Sequence, residues 1–311
     1  MARAGRASRA GLLVLGAVAL TLGASAAVAK PPDRSALPLG DGKLSTQPQK
    51  GSFWSCQTAT TGRTAPAQPW IHGTTWDATA KPTVPGSVSW SQQVSIKRNG
   101  DKRVITSNGL PDHQTGEFPI PSNSDAYTYD QNPSSIREQQ LSVTVPVAPK
   151  RAAQASCAGG EVGIMTNGVP LFSALDADLA DAVAHHVQDE CEGHPQNTGQ
   201  YHYHGPSKCL NDVGNGHSKL LGYAYDGFGV YGTRGEKGKE LSDADLDSCH
   251  GHTHTITWNG KKTKLYHYHL TTEFPYAVGC FRGTPVRAGG GQQGGPPPGA
   301  PPGGPPPRPP G

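Results

Sequence analysis

The chain has 311 residues, with 27 Lys and Arg against 24 Asp and Glu. Three of the arginines lie in the first 29 residues, which carry no acidic side chain, so 24 basic residues face 24 acidic ones in the remainder. A chain this close to neutral gives no charge-based case for binding nucleic acid or an anionic membrane surface, and we expect no nucleic-acid partner.

Residues 1–29 predict a secretory signal peptide. A basic start is followed by an apolar stretch from Gly11 and by the small residues Ala27-Val28-Ala29, which is the order of a signal peptide and its cleavage site. An N-terminal membrane anchor is the alternative, but the apolar stretch is rich in Ala and Gly and short for a membrane span. We therefore expect a secreted protein, cleaved after Ala29, with no membrane span in its mature form.

Both ends of the remaining chain differ in composition from its middle. Residues 30–85 form a polar N-terminal segment, Pro-rich over 30–50 as linkers are, and Cys56 offers it a covalent tether. Residues 288–311 contain only Gly, Pro, Ala, Gln and Arg, a composition that predicts a disordered tail. The main domain is therefore expected over residues 86–287.

The middle of the chain predicts a mainly β fold, with antiparallel sheets in a sandwich- or barrel-like arrangement. From Ser87, "SVSWSQQVSIKRNGDKRVITSNG" alternates apolar and polar residues on both sides of Asn99-Gly100, which is the strongest short signal for a β-hairpin. "QLSVTVPVAP" is a further alternating strand. "VGIMTNGVPLF" and "LLGYAYDGFGVYG" predict short strands separated by Gly-containing turns.

One segment, residues 173–190, predicts an amphipathic helix. Its apolar residues recur at steps of four: Leu175, Leu179, Val183 and Val187. At 100° per residue, His186 and Glu190 lie within the apolar arc, whereas His185 lies on the opposite face. His186 and Glu190 are therefore expected to point towards the body of the protein, either as a buried histidine satisfied by a nearby acid or as a pair that supports a metal ion.

The word Tyr-His-Tyr-His occurs twice, beginning at Tyr201 and at Tyr266. In a strand, alternate residues share a face, so His202 and His204 point one way and the tyrosines the other. The same holds for the second word. Two histidines on one face, about 7 Å apart at Cα, have the reach to bind one metal ion. The strand then has a ligand face and a tyrosine face that packs.

The repeated sequence extends beyond these four letters. Each word is preceded by Cys-x-Gly-His and followed by a cysteine, which gives a first unit from Cys191 to Cys209 and a second unit from Cys249 to Cys280. Six cysteines in an exported chain imply three disulfides rather than thiolate ligands. The units predict the pairs Cys191–Cys209 and Cys249–Cys280, which leaves Cys56–Cys157.

The matching histidines of the two units are the candidate metal ligands: His194, His202, His204, His252, His267 and His269. Neutral imidazole suits Cu(II) and Zn(II), whereas a Cu(I) site of thioethers is disfavoured because the chain has only two Met. We expect the units to be two halves of one site; two separate metal sites are the alternative. Histidines stacked in an aromatic ladder without metal are a third arrangement.

Four further histidines are weaker candidates: His113, His186, His250 and His254. In a strand, His250 and His254 would lie on the same face as His252, so they either belong to the site or face solvent. Asp226 opens the tight turn "DGFGVYG", where it either stabilises the turn or orients an imidazole.

The two words, together with "DECEGHP", "LGYAYDGFGVYG", "GLPDHQTGEFP" and "PYAVGCFRG", resemble the YHYH protein family over roughly residues 86–285. The resemblance implies an extracytoplasmic YHYH domain, and it implies no reaction and no set of ligands. It draws attention to His113, a loop histidine in "GLPDHQTG" that either reaches the site or lies at the surface.

Three functions fit these residues. The first is a secreted Cu- or Zn-dependent enzyme, oxidative or hydrolytic, with Glu190 or Asp226 as candidate acid or base and a small molecule or polymer as substrate. The second is an extracellular protein that binds or scavenges the metal. The third is a metal-free, disulfide-stabilised binding module. The sequence contains no GxSxG, HExxH, P-loop or dinucleotide-binding pattern, and it leaves the oligomeric state open.

Overall fold

The computed structural model describes residues 1–2, 32–58 and 67–286. The predicted tail lies outside these residues, as does the predicted signal peptide apart from its first two residues. Within the described part of the chain, no helix has both the length and the hydropathy needed to cross a bilayer.

The described part of the N-terminal segment contains short strands: β1 (Leu37–Pro38), β2 (Leu44–Ser45), β3 (Phe53–Trp54), β4 (Ile71–His72) and β5 (Thr75–Trp76). Within the segment predicted to be polar, Leu37, Trp70 and Trp76 are nevertheless buried and form a second apolar core with Val187. The indole N–H of Trp70 also donates a hydrogen bond to the backbone oxygen of Ala184, 2.8 Å away. The described parts of this segment therefore cover the region of the short helix described below.

A three-stranded antiparallel sheet follows: β6 (Val94–Asn99), β7 (Lys102–Ser107) and β8 (Leu141–Pro146). β6 and β7 form the predicted hairpin, in which Asn99 pairs with Lys102 and Gly100 adopts a φ of 62°. Gly reaches this left-handed conformation without the steric cost that a side chain would incur. Local turn chemistry therefore determines this hairpin.

The central sheet has eight strands: β9 (Glu161–Met165), β10 (Pro170–Phe172), β11 (Gly193–Pro195), β12 (Tyr201–Tyr203), β13 (Leu220–Ala224), β14 (Gly229–Tyr231), β15 (Gly251–Trp258) and β16 (Lys261–His269). Their order is β11-β12-β10-β9-β13-β14-β16-β15. The mainly β fold with antiparallel sheets is confirmed, although β10 pairs with β12, and β14 with β16, in parallel.

The two halves of this sheet have the same pairing pattern on either side of β9 and β13. These central strands pair antiparallel through Ile164 and Tyr223. On one side, Leu171 of β10 pairs with Tyr203 of β12; on the other, Val230 of β14 pairs with Tyr268 of β16. A register shift interrupts both the β9–β10 and the β13–β14 hairpins. The two Tyr-His-Tyr-His words thus occupy equivalent positions in the sheet.

The described residues contain one α-helix, α1 (Ala182–His185), and 3-10 turns at Asp125–Thr128, Glu236–Gly238 and Asp243–Asp245. The predicted helix over 173–190 was too long, because Leu179 has a φ of 66° and the Asp181 side chain caps the helix just before Ala182. As a result His185 is buried and Glu190 is exposed. The orientations expected for His185 and Glu190 from an unbroken helix were therefore wrong.

Three disulfides join Cys56 to Cys157, Cys191 to Cys209 and Cys249 to Cys280. These are the pairs that the two sequence units predict. The second and third disulfides each enclose one Tyr-His-Tyr-His word, so each word lies within a loop whose ends are joined by a disulfide.

The glycine of the Gly-His pair in each unit leaves room for a tyrosine ring. A Cβ atom on Gly193 would lie 2.2 Å from Cζ of Tyr201, and one on Gly251 would lie 2.4 Å from the hydroxyl of Tyr266. Contacts this close require the buried ring or the backbone to move. A glycine is therefore needed at both positions.

We expect Gly193→Ala to lower the free energy of unfolding by about 2 kcal/mol, the usual cost of overpacking a buried site. Urea denaturation of the purified protein measures this change. Gly216→Ala is the matched control, because a Cβ there meets nothing within 4 Å, and it should change stability by less than about 0.5 kcal/mol. Equal stability of the two variants would contradict the packing described for Tyr201.

Candidate metal centres

Three histidines of the first unit bring their Nε2 atoms together, and we name them site A: His194, His202 and His204. His194 on β11 pairs directly with His202 on β12. The Nε2 atom of His204 lies 3.2 Å from that of His194 and 3.1 Å from that of His202. Each of the three residues is only 3 % exposed, so their nitrogens meet in a site removed from solvent.

Backbone carbonyls determine which ring nitrogens of site A carry protons. The Nδ1 atom of His202 lies 3.1 Å from the oxygen of Gln200, and that of His204 lies 2.5 Å from the oxygen of Ser173. Because a carbonyl oxygen only accepts hydrogen bonds, both Nδ1 atoms are protonated and both Nε2 atoms present lone pairs. Two lone pairs that face each other at 3.1 Å in a buried site are unfavourable unless a cation lies between them.

The surroundings of site A keep its imidazoles neutral. The ring of Phe172 stacks on His202 with a centroid separation of 4.0 Å. Burial lowers the pKa of His202 to about 4 and lowers those of His194 and His204 well below the usual value. The Nδ1 atom of His194 is buried and has no hydrogen-bond partner among the described residues. Neutral imidazole is the form that binds metal.

Five histidines form a second cluster, which we name site B: His217, His252, His254, His267 and His269. Their candidate ligand atoms all lie within 4.8 Å of one another. The Nε2 atom of His254 lies 3.1 Å from that of His217 and 3.1 Å from that of His267. His267 and His269 are buried, whereas the other three are only partly buried.

Carbonyls orient the rings of site B in the same way. The Nδ1 atoms of four histidines face backbone oxygens: His267 at 3.0 Å from Leu265, His269 at 2.6 Å from Gly232, His217 at 2.8 Å from Ser218, and His254 at 3.3 Å from Thr255. Their Nε2 atoms therefore carry lone pairs directed into the cluster. Burial lowers the pKa of His267 to about 2 and that of His252 to about 4, so both are neutral at physiological pH.

Three members of site B match site A position by position: His252, His267 and His269. His252 pairs with His267 as His194 pairs with His202. The carbonyl of Gly232 at the end of β14 holds His269, as that of Ser173 at the end of β10 holds His204. Site B differs by adding His217 and His254.

Residues 142–244 match the family described as YHYH protein. These residues belong to the YHYH protein family. The match contains all of site A and His217, and it ends before His252, so it covers less of the chain than the resemblance over 86–285 suggested. No curated protein and no solved structure matches the chain.

In the structure the two clusters are separate rather than two halves of one site. Their strands β12 and β16 lie five steps apart in the sheet, which corresponds to about 24 Å at the usual spacing between strands. The expectation of one shared site was wrong, because each word meets the Gly-His of its own unit and the hairpins β9–β10 and β13–β14 lie between the two.

Of the weaker histidine candidates, one belongs to a cluster and the others do not. His254 joins site B. His186 borders site A, with its ring 5.0 Å from that of His194, and its Nε2 atom lies 3.5 Å from a carboxylate oxygen of Asp176. His250 has a φ of 73° and turns its ring towards Thr271, 2.9 Å away.

His113 lies on the tyrosine side of the sheet, where its Nε2 atom is 2.6 Å from the hydroxyl of Tyr203. It also lies beside Cys191 and Cys209, but their sulfurs form a disulfide and are not thiolate ligands. The structure therefore brings His113 to the back of the first word and not to site A.

Neither candidate acid or base lies among the clustered histidines. Glu190 is exposed, forms an ion pair with Lys208 and accepts a hydrogen bond from the hydroxyl of Thr83 at 2.7 Å. Asp226 is buried and accepts a hydrogen bond from the hydroxyl of Tyr268 at 2.6 Å. Tyr268 points away from the histidine face of β16, so Asp226 stabilises the tyrosine side.

His217 was not predicted from the sequence. It lies in "GNGHSKL", outside both units, and has no counterpart in the first unit. A single histidine in a polar, Gly-containing stretch carries no strand periodicity, and the strand order that brings it to site B is a non-local property.

An aspartate, buried in the first unit and partly buried in the second, supports the tyrosine face of each unit. Asp189 accepts hydrogen bonds from the hydroxyl of Tyr201 at 2.9 Å and from the backbone N–H of Cys191 at 2.9 Å and of Gly193 at 3.2 Å. Asp247 makes the same three contacts in the second unit, with Tyr266, Cys249 and Gly251. The unit therefore begins two residues before its first cysteine.

We expect Asp189→Asn to lower the free energy of unfolding by about 2 kcal/mol, because the amide replaces one acceptor with a donor that faces other donors. Thermal or urea unfolding measures the change. Asp101→Asn, at an exposed turn position, is the control and should leave stability within about 0.5 kcal/mol. If Asp189→Asn is as stable as the control, the aspartate does not hold the unit together.

Proposed function

We propose that this YHYH protein is an exported protein that binds two transition-metal ions, one at site A and one at site B. The observation that carries the proposal is the convergence of three buried Nε2 atoms at 3.1 to 3.2 Å, two of which, on His202 and His204, present lone pairs. Protein interiors rarely bury polar atoms without partners, and a bound cation supplies the missing partner for these nitrogens.

The donor set favours Zn(II) or Cu(II). Imidazole nitrogens suit both ions, whereas Ca²⁺ and Mg²⁺ prefer oxygen. In a tetrahedral site with Zn–N distances of about 2.0 Å, the nitrogens lie about 3.3 Å apart, close to the separations in site A. The cysteines are held in disulfides, so thiolate ligands are not available to either site.

Export is supported by three disulfides, which persist in oxidising compartments. It is also supported by the signal-peptide pattern of residues 1–29. We further propose that the two units are an internal repeat, because they share the pairing pattern of the sheet, the aspartate contacts and the carbonyls that hold His204 and His269.

Purified, tag-free protein should contain two ions per chain by elemental analysis, and a chelator should lower its melting temperature. Ligand binding to the folded state stabilises it by about 4 kcal/mol when the free ion is at a thousandfold excess over Kd. No stoichiometric metal, together with a melting temperature that the chelator leaves unchanged, would overturn the proposal in favour of a metal-free binding module.

Single variants test whether the two sites are independent. His204→Ala should lose the ion of site A alone, and His269→Ala that of site B alone, because the clusters share no residue. His72→Ala, at an exposed position in β4, is the control and should retain both. Loss of both ions from either variant, with the fold intact by circular dichroism, would instead indicate one shared centre.

A secreted metalloenzyme is the second candidate. A three-histidine set with an open position is typical of catalytic zinc sites. A cavity of about 330 Å³ also touches Gly205, next to His204, and Gly232, whose carbonyl holds His269. Hydrolysis of chromogenic carboxylic and phosphate esters by the zinc-loaded protein, lost in His204→Ala or His269→Ala, would support this function. Equal rates in the loaded protein and both variants would argue against it.

A further inference from the structure

Site B contains two histidines that have no equivalent in site A. The position in the first unit that corresponds to His254 is occupied by Gln196, two residues after His194. The side chain of Gln196 donates a hydrogen bond to that of Gln200, so it does not supply a nitrogen to the cluster. His217 comes from the chain between β12 and β13 and likewise has no partner position in the first unit.

The additional histidines lie on the solvent side of site B. His217, His252 and His254 are partly exposed, whereas His267 and His269 are buried; the Nε2 atom of His252 is nevertheless buried. Glu236, an exposed acid, lies 3.9 Å from the Nδ1 atom of His254. All three histidines of site A are 3 % exposed, and its partly exposed neighbour His186, whose ring lies 5.0 Å from that of His194, is not one of its converging ligands. A cation that approaches from solvent therefore meets His217 and His254 before the buried Nε2 atoms of His252 and His269.

Site B contains two overlapping sets of three nitrogens, one defined by short distances and the other by its match to site A. The outer set consists of His217, His254 and His267, because the Nε2 atom of His254 lies 3.1 Å from each of the other two. The inner set consists of His252, His267 and His269, the three residues that match site A. His267 belongs to both sets.

Shared ligands allow an ion to move without losing most of its coordination. An ion held by the outer set reaches the inner set when His252 and His269 replace His217 and His254 one at a time, while His267 stays bound. The Nε2 atoms of His252 and His269 are buried and have no partner among the described residues. They are therefore free to take up the ion as the outer ligands release it.

We propose that His217 and His254 form a receiving pair, which captures Zn(II) or Cu(II) from hydrated or weakly chelated ions in the medium and passes it to the inner set. Site A, which lacks such a pair, exchanges its ion slowly. This inference rests on the proposed function and adds to it a division of roles: site B acquires and releases metal, and site A retains it.

The test compares the wild type with the double variant His217→Asn/His254→Gln, in which the second substitution installs the residue of the first unit. Metal-free protein is mixed with zinc sulfate alone, and the removal of zinc by a chromogenic chelator is then followed in a stopped-flow instrument. The wild type should release zinc in a fast and a slow phase of equal amplitude.

The variant should still bind two ions, with the rates of uptake and release of the fast phase lowered by about tenfold or more. Thr253→Ala, at an exposed position between His252 and His254, is the control and should keep the wild-type rates. An unchanged fast phase in the double variant would overturn the inference. So would the loss of one ion, because the pair would then be permanent ligands.

The failure of this inference is distinguishable from that of the proposed function. If the wild type takes up no zinc, the proposed function fails and the receiving pair fails with it. If the wild type binds two ions and the double variant exchanges them at wild-type rates, only the receiving pair is wrong. A circular dichroism spectrum and a metal-free melting temperature equal to those of the wild type establish that the double variant is folded.

Discussion

The geometry of both clusters depends on one interaction, the hydrogen bond from an imidazole Nδ1–H to a backbone carbonyl. Ser173 and Gly232 supply the carbonyls for His204 and His269, and each follows directly on a strand that pairs in parallel with a Tyr-His-Tyr-His strand. The sheet therefore determines the tautomer and the direction of the rings before any ion binds. This is the arrangement by which proteins orient histidine ligands.

The opposite face of each strand holds this arrangement in place. The tyrosines are buried, a buried or partly buried aspartate binds the first tyrosine of each word, and a disulfide closes the loop that carries it. Burying neutral imidazoles with their lone pairs turned towards one another is costly without a cation. The tyrosines, the aspartate and the disulfide on this opposite face hold the histidine nitrogens together before an ion binds. This lowers the conformational free-energy cost of binding the ion.

The sequence predicted the features that depend on local chemistry. The Asn99-Gly100 turn determines its hairpin, and strand alternation separates the histidine face from the tyrosine face. The predicted helix failed because Asp181 is held by distant groups: its carboxylate accepts hydrogen bonds from the backbone of Gly40 and from the hydroxyl of Tyr276. The separation of sites A and B and the recruitment of His217 depend on strand order, which no local pattern encodes.

The central claim is that the chain holds two metal ions at separate, equivalent positions of one sheet. Anomalous difference maps from crystals of the zinc- or copper-loaded protein, collected on either side of the metal absorption edge, test it most directly. The account predicts two peaks, one among the Nε2 atoms of His194, His202 and His204 and one among those of site B, separated by about 24 Å. A single peak, or peaks away from these nitrogens, would contradict it.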